Sequence, residues 1–363
     1  MTSSNSFAFD SRERDSRPRC GLRGEGRSSY CSTRNVSGVD DFIGASSVIA
    51  FDQGTVVPSF RFKLMGEVDA VVTWVDASCP LWQEARTRYA ADAPAFRFSP
   101  PEAPEAEVDL CLSLLIQNLP WLRRIWLVTM RPQRPSCLSR SELKDMVSVV
   151  HHDEFFPCTA SLPTFSSTTI EAHFWRIQDL AERFIYFNDD MYVLRPLPKS
   201  IFFDAGRPIA WLSKSPPRTW AHHDDDWNRA WYKLRELFPF TKLLHHFPYA
   251  ITKTSLREAA SRFSDQWTEL CGQRVRTGQD IMPVGAAVNL GLAEGRGVRE
   301  KLPKALFRGA IVKPDTVKAL VGKDLCFLCV NRQPFDKTRV FCDAVRAHFV
   351  SGATEVEEVS ATT

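Results

Sequence analysis

Eight consecutive residues constrain this chain more than any others: Phe184, Ile185, Tyr186, Phe187, Asn188, Asp189, Asp190 and Met191. Four apolar or aromatic residues without polar alternation predict a short strand buried on both faces, as in a sheet covered by helices. Polar residues follow at once. If the strand is parallel and central, its C-terminal end opens where α/β sheets bind ligands. Two adjacent carboxylates and a carboxamide there suit a hard divalent cation, because Mg²⁺ takes one or two carboxylates, keeps water and shares phosphate oxygens. An Asn-Asp-Asp run also suits a plain turn or helix cap, and both readings stand at this point.

The flanking sequence supplies the rest of such a sheet. Val68 to Val75 is strand-like and again delivers a carboxylate, Asp76, where the strand should stop. Leu81 to Ala91 reads as helix, and Val108 to Asn118 has helical spacing through Leu110, Leu114 and Ile116 before Pro120 halts it. Ile125 to Thr129 and Met146 to Val150 are further strands, the latter running into His151, His152 and Asp153. Strands separated by helices indicate parallel βαβ units. The expectation is an α/β, Rossmann-like fold: a mainly parallel central sheet with helices on both faces, and a more helical C-terminal part. Thr254 to Phe263, Ile281 to Leu292 and Asp336 to Phe349 supply those later helices, with Trp227 to Phe238 a further candidate.

Residues 162–183 carry a second pattern. Ile170, Phe174, Ile177 and Ala181 recur at helical spacing and predict one amphipathic helix. Thr168 with Glu171 three positions on fits a capping box. The hydroxyl-rich turn of Thr164, Ser166, Ser167 and Thr168 offers a cradle for phosphate at the helix N-terminus.

Four further clusters have a bland and a sharp reading. His222, His223 and Asp224 to Asp226 could hold metal or be an ordinary polar loop. His246, before Phe247 and Pro248, is a packed loop residue or a general base or phosphate ligand. Arg276 pairs with Asp280 or clamps a phosphate. Cys326 and Cys329 enclose Phe327 and Leu328 in an apolar run, so this lone CxxC reads as strand rather than zinc site.

Composition limits the partners. A net charge of +3 over 363 residues gives no reason to expect nucleic acid. No apolar run reaches the roughly 18 to 20 residues that cross a bilayer, and the N-terminus lacks a secretory apolar core. The expectation is a cytoplasmic protein, at most peripheral at the inner face of a membrane, with its ten cysteines reduced. Residues 1–62 read as a flexible tail and lead-in, 63–350 as the folded domain and 351–363 as a second tail.

Several of these segments together resemble the Stealth family of sugar-1-phosphate transferases, which includes capsular polysaccharide phosphotransferases. The matching blocks are VDAVVTWVDASCPLW at 68–82; SLLIQNLPWLRRIWLVTM, VVHHDEFF, LPTFSSTTIEAHFWRI and FIYFNDDM between Ser113 and Met191; His246, Phe247 and Pro248 with Arg276 and Asp280; and CFLCVNRQ around Asn331. The chain departs from the family pattern at Ala77 to Pro80 and at Arg332, each time losing an acid.

The resemblance implies transfer of a sugar 1-phosphate from a nucleotide-sugar donor, a UDP-N-acetylhexosamine being one candidate, to a saccharide acceptor, with release of nucleoside monophosphate, in capsular or cell-wall polysaccharide synthesis. It implies Asp189 and Asp190 as ligands of Mg²⁺ or Mn²⁺, with Asp76 a further ligand or a nucleotide contact. Arg276 would neutralise charge on the transferred phosphate, and His246 would take the acceptor's hydroxyl proton or bind phosphate. Trp74, Thr164, Ser166, Ser167, Glu171, Arg176, Asn188, Asp280 and Asn331 would line the substrate pockets. A metal-dependent glycosyltransferase releasing nucleoside diphosphate is the nearest alternative. A catalytically inactive carbohydrate-binding protein, suggested by Cys79 and Arg332, is another.

Overall fold

The computed structural model describes residues 66–91, 105–212, 234, 244, 247–277, 280–301, 307–309, 325–329 and 338–350. Along the chain run β1 (Val68–Thr73), α1 (Pro80–Tyr89), α2 (Ala106–Asn118), β2 (Ile125–Thr129), β3 (Val147–His151), α3 (Ser167–Glu171), β4 (Arg183–Asn188) and β5 (Met191–Val193). They are followed by β6 (Phe203–Asp204), β7 (Arg207–Leu212), β8 (Tyr249–Thr252), α4 (Lys253–Arg262), α5 (Ser264–Cys271) and α6 (Pro283–Ala293), then by β9 (Val298–Lys301), β10 (Phe307–Gly309), β11 (Phe327–Cys329) and α7 (Thr338–Phe349).

The central sheet has the order β3-β2-β1-β4-β8. All neighbours are parallel except β8, which runs antiparallel to β4. Period-2 alternation divides its side chains between two apolar layers. Val68, Ala70, Val72, Ile185 and Phe187 pack on one face with α2, β5, β11 and α7. Val71, Val128, Phe184 and Tyr186 pack on the other with residues of α4, α5 and α6. The sheet is therefore covered on both faces, which is why β1 and β4 read as continuous apolar runs.

Thr73 lies opposite Asn188 in the parallel register, so the residues that follow β1 and β4 leave the sheet along one edge. The chain after β4 turns back at Asp189 and Asp190 into β5. That strand leaves the central sheet and pairs antiparallel with β11, Met191 facing Cys329. Cys326 and Cys329 are buried in this strand layer, as their apolar spacing predicted. Among the described residues no helix is long and apolar enough to cross a membrane.

One expected element differs. Residues 162–183 form a five-residue helix, α3, and a separate 3-10 turn at Phe174–Arg176, not one amphipathic helix. The physical reason is burial on more than one side: Thr168, Thr169, Glu171 and His173 are buried along with the apolar Phe174 and Ile177. A helix with one wet face cannot bury all of them. The expected capping box also moves. Ser166 is the N-cap, its hydroxyl accepting from Thr169 N at 3.2 Å, which frees the Glu171 side chain from that task. The expected helix at 227–238 lies outside the described residues.

Candidate active site

At the carboxyl edge of the central sheet the two carboxylates after β4 sit half-buried in the turn to β5. Burial, and for Asp190 the charge of Asp189, hold both carboxyls well above the usual range. Backbone N–H groups of the turn pull the other way without cancelling this. Cys329, on β11, hydrogen-bonds the Asp190 carboxylate, while Asp190 Oδ1 is buried without a hydrogen-bond partner among the described residues. An orphaned carboxylate oxygen in a native fold calls for a ligand or a proton.

Glu107, in the first turn of α2, belongs to this group and was not among the residues that the sequence singled out. Burial and the charges of Asp189 and Asp190 raise its carboxyl too. Its only sequence signal is an acid near a helix N-terminus, which the helix dipole explains equally well. Among the described residues no lysine or arginine offsets these three acids.

Beside them lies a second set, carried by α3, β4 and the loop after α5. Glu171 is buried, and its Oε1 accepts from the Tyr186 hydroxyl at 3.2 Å. Tyr186 in turn lies 3.3 Å from the Thr73 hydroxyl, joining the ends of β1 and β4 to α3. Burial pushes the Glu171 carboxyl up to about 7, against the opposing pull of Arg276 and of the Tyr186 hydrogen bond. Among the described residues, Glu171 Oε2 is a second buried oxygen without a partner, and Arg276 Nε is a buried donor without one. Tyr249, stacked on Tyr186 at 6.2 Å between ring centroids, feels the charges of both Glu171 and Asp190 and so bridges the two sets.

The hydroxyl turn is wired mainly to protein. Thr164 Oγ1 donates to Gln273 O at 3.1 Å, and Thr169 Oγ1 to Leu270 O and Gln273 O, each at 3.2 Å. Thr168 Oγ1 donates to Asp280 Oδ2 at 3.3 Å and lies 2.8 Å from Ser166 Oγ. Asp280, buried, also accepts from Thr277 N at 2.9 Å and Thr277 Oγ1 at 2.6 Å. Arg276 Nη2 donates to Ser167 Oγ. These bonds fix the loop that carries Arg276 against the start of α3.

Asp76 follows β1 at the same edge. Its Oδ1 accepts from Ser78 N at 2.8 Å and Ser78 Oγ at 2.6 Å, an Asx turn. Gln133, another residue that the sequence did not signal, clamps the Asp76 backbone through Oε1 and Nε2 at 2.9 and 2.8 Å. Trp74 is buried in the core layer, and Asn188 is half-buried at the end of β4. Arg176 is exposed and stacks on the Trp175 ring at 4.2 Å. His246, Asn331, His222, His223 and Asp224 to Asp226 lie outside the described residues.

The edge thus joins hard oxygen donors, two of them buried and unpartnered, to an arginine with a donor to spare. Among the described residues no group of three or more His, Cys, Asp or Glu side chains could hold a metal ion by itself. The donor set fits a cation of the Mg²⁺ or Mn²⁺ type that takes one or two carboxylates and completes its shell with water and phosphate oxygens. It does not fit a closed structural metal centre.

An α/β sheet with paired acids at its carboxyl edge defines the class; comparison with known proteins defines the family. Residues 105–209 match Stealth protein CR2, conserved region 2. An exopolysaccharide phosphotransferase of Streptomyces coelicolor is 30% identical over 284 residues, 73% of this chain and 51% of that protein. The capsular polysaccharide phosphotransferase of Neisseria meningitidis serogroup B is 30% identical over 268 residues, 66% of each chain. Capsular polysaccharide phosphotransferase LcbA of Aeromonas hydrophila is 40% identical over 146 residues, 38% of each chain.

The chain belongs to the Stealth family. It spans about half the length of the Streptomyces relative. Among solved structures, the galactosyltransferase LgtC with donor and acceptor sugar analogs overlays 80% of this chain and 98% of its own at 10% identity, with a TM-score of 0.40, an overlap too loose to argue from.

Proposed function

We propose that this chain is a phosphotransferase that moves a sugar 1-phosphate from a nucleotide diphosphosugar to a hydroxyl of a saccharide acceptor, forming a phosphodiester and releasing nucleoside monophosphate. Its relatives' names, exopolysaccharide and capsular polysaccharide phosphotransferase, support the polymer class of the product. The observation that carries the chemistry is the unpartnered Asp190 oxygen beside Asp189, at one sheet edge with Glu171 and Arg276.

Asp189 and Asp190 would hold Mg²⁺ or Mn²⁺, which when bound supplies charge neutralisation on the donor diphosphate. Phosphoryl transfer is catalysed chiefly by positioning and electrostatics. Arg276, held by Ser167 through Nη2 and with Nε unpartnered, faces the negative charge of the transferred phosphate. Glu171 orients Tyr186 and opposes Arg276. Thr164, Ser166 and Asp280 act by holding one another and residues 273–277 rather than by touching substrate. Asp76 keeps one carboxylate oxygen beyond its Ser78 turn for the nucleotide or the cation shell. His246 is the candidate base for the acceptor hydroxyl, and Asn331, Trp74 and Arg176 are candidate substrate contacts. The donor, a UDP-N-acetylhexosamine among others, would enter from the carboxyl edge.

The test is product identity. Purified protein is incubated with a panel of nucleotide sugars, saccharide acceptors and Mg²⁺ or Mn²⁺, and the released nucleotide is identified. Nucleoside monophosphate with a phosphodiester-linked sugar supports the proposal. Nucleoside diphosphate would make the chain a glycosyltransferase, and no product despite nucleotide binding would leave it a carbohydrate-binding protein.

A further inference from the structure

α2 begins with two acids whose circumstances differ. Asp109 is gripped by Arg140 and, at 2.6 Å, by Arg346 of α7. Glu107, two residues earlier and so about 200° round the helix, meets no arginine or lysine among the described residues. Its direction follows from Cys111, one turn further on the same helix face. The Cys111 thiol donates to Met191 O at 3.4 Å and lies 3.9 Å from Asn188 O, so it straddles the turn that carries Asp189 and Asp190. Asn118, at the far end of α2, donates from Nδ2 to Val193 O at 2.7 Å and pins the helix along β5. Helical side chains lean towards the helix N-terminus, so Glu107 overlies the acid pair.

Three acids in one half-buried place, with no balancing lysine or arginine among the described residues, is an arrangement that folding alone disfavours. The helix dipole would favour an acid at position 107 equally on the solvent side, so it does not explain why this one faces two others. The unpartnered Asp190 Oδ1 in the same place points to an occupant that is positive.

We propose that Glu107 is the third carboxylate of the cation site, acting through water bound to the ion rather than as a direct ligand. The inference rests on the cation role given above to Asp189 and Asp190 and extends it to a residue on another element. Direct ligation by all three acids is not required, in keeping with the absence of a ready-made three-ligand cage among the described residues. Mg²⁺ and its analogues commonly retain several waters, which an outer carboxylate can hold.

The experiment is a Mn²⁺ titration of the wild-type chain, Glu107→Gln, Glu107→Asp and Asp190→Asn, followed by electron paramagnetic resonance of the free ion, with a thermal melt of each protein without metal. Glu107→Gln should weaken Mn²⁺ binding about tenfold, the scale of losing an outer partner. Glu107→Asp should recover part of the loss, and Asp190→Asn should lose binding further. Without metal, Glu107→Gln should melt at or above the wild-type temperature, since a like charge has gone.

Unchanged Mn²⁺ affinity in Glu107→Gln, with Asp190→Asn impaired, would overturn the role of Glu107 alone. Unchanged affinity in both would remove the cation reading of the pair and this inference with it. A metal-free melt several degrees lower in both Glu107 variants would assign the residue to packing and overturn the proposal as well.

Discussion

The two ends of the central sheet treat a buried acid in opposite ways. At the amino end of β1, Asp69 is fully buried and completely served. Arg123 donates to Oδ1 at 2.8 Å and to Oδ2 at 2.6 Å, while Trp126 Nε1 and Ala181 N each donate to Oδ2 at 2.8 Å. At the carboxyl end, Asp190 keeps a buried oxygen without a partner among the described residues, and the like charge of Asp189 stands beside it. The fold thus completes the first acid with its own donors, whereas under the proposed function a cation completes the second. Burial of carboxylate oxygens is common to both; the difference in partners is what the proposed cation role of Asp190 rests on.

Exchanging the roles experimentally would break this contrast. Asp190→Asn should reduce turnover by about a hundred- to thousandfold, the scale of losing one preorganised electrostatic group, while circular dichroism and the urea midpoint stay near wild type. Asp69→Asn should do the reverse. It leaves Arg123, Trp126 and a backbone N–H with a poorer acceptor and should cost about 3 kcal/mol of stability, seen as a lower urea midpoint, with turnover per folded molecule unchanged. If Asp190→Asn unfolded the protein and Asp69→Asn abolished turnover in a stable fold, the assignment of the two ends would be inverted.

A pH series sharpens the same distinction with smaller effects. His152 and His173 are buried against Phe155 and Phe156, and burial holds their imidazoles down, to about 3 and about 4. The like charges of His151 and Arg176 add to this. An unfolded histidine takes up its proton near 6.5. Between about 4 and about 6.5 the unfolded state therefore binds more protons, and stability is complete above that window and lost as pH falls through it. The slope approaches about 1.4 kcal/mol per pH unit for each histidine. The double variant His152→Gln, His173→Gln should show a flatter decline of urea midpoint from pH 7 to pH 5 than the wild type. Glu171 acts with the opposite sign: its carboxyl is raised to about 7, so the folded state holds that proton longer and gains stability as pH falls below that value.

Smallest of all, Thr168→Val removes one donor to Asp280 and should cost about 1 kcal/mol while leaving the acid pair intact. A loss of Mn²⁺ binding in that variant would mean that the hydroxyl turn and the acid pair are not separable.

How far the sequence disclosed this arrangement depended on whether the signal was local. The run from Phe184 to Phe187 announced a strand covered on both faces, and Asn188 to Asp190 announced its edge, because strand burial and turn chemistry are written residue by residue. Ile125 to Thr129 was legible with the same bounds for that reason. The 162–183 segment was not, since its apolar spacing suits a helix while its buried Thr168, Thr169, Glu171 and His173 answer to distant partners such as Leu270, Gln273 and Asp280. Glu107 and Gln133 escaped for a related reason. Their significance lies in what α2 and the β2 exit are packed against, and tertiary packing leaves no mark in the local pattern.

The account is tested most directly by anomalous diffraction from crystals grown with Mn²⁺ and a nucleoside diphosphate. It predicts one strong manganese peak at the turn between β4 and β5, within about 2.2 Å of an Asp189 or Asp190 oxygen and beside the diphosphate, with Arg276 on the phosphate's other side. A bound nucleotide with the peak elsewhere, or with none at that turn, would contradict it.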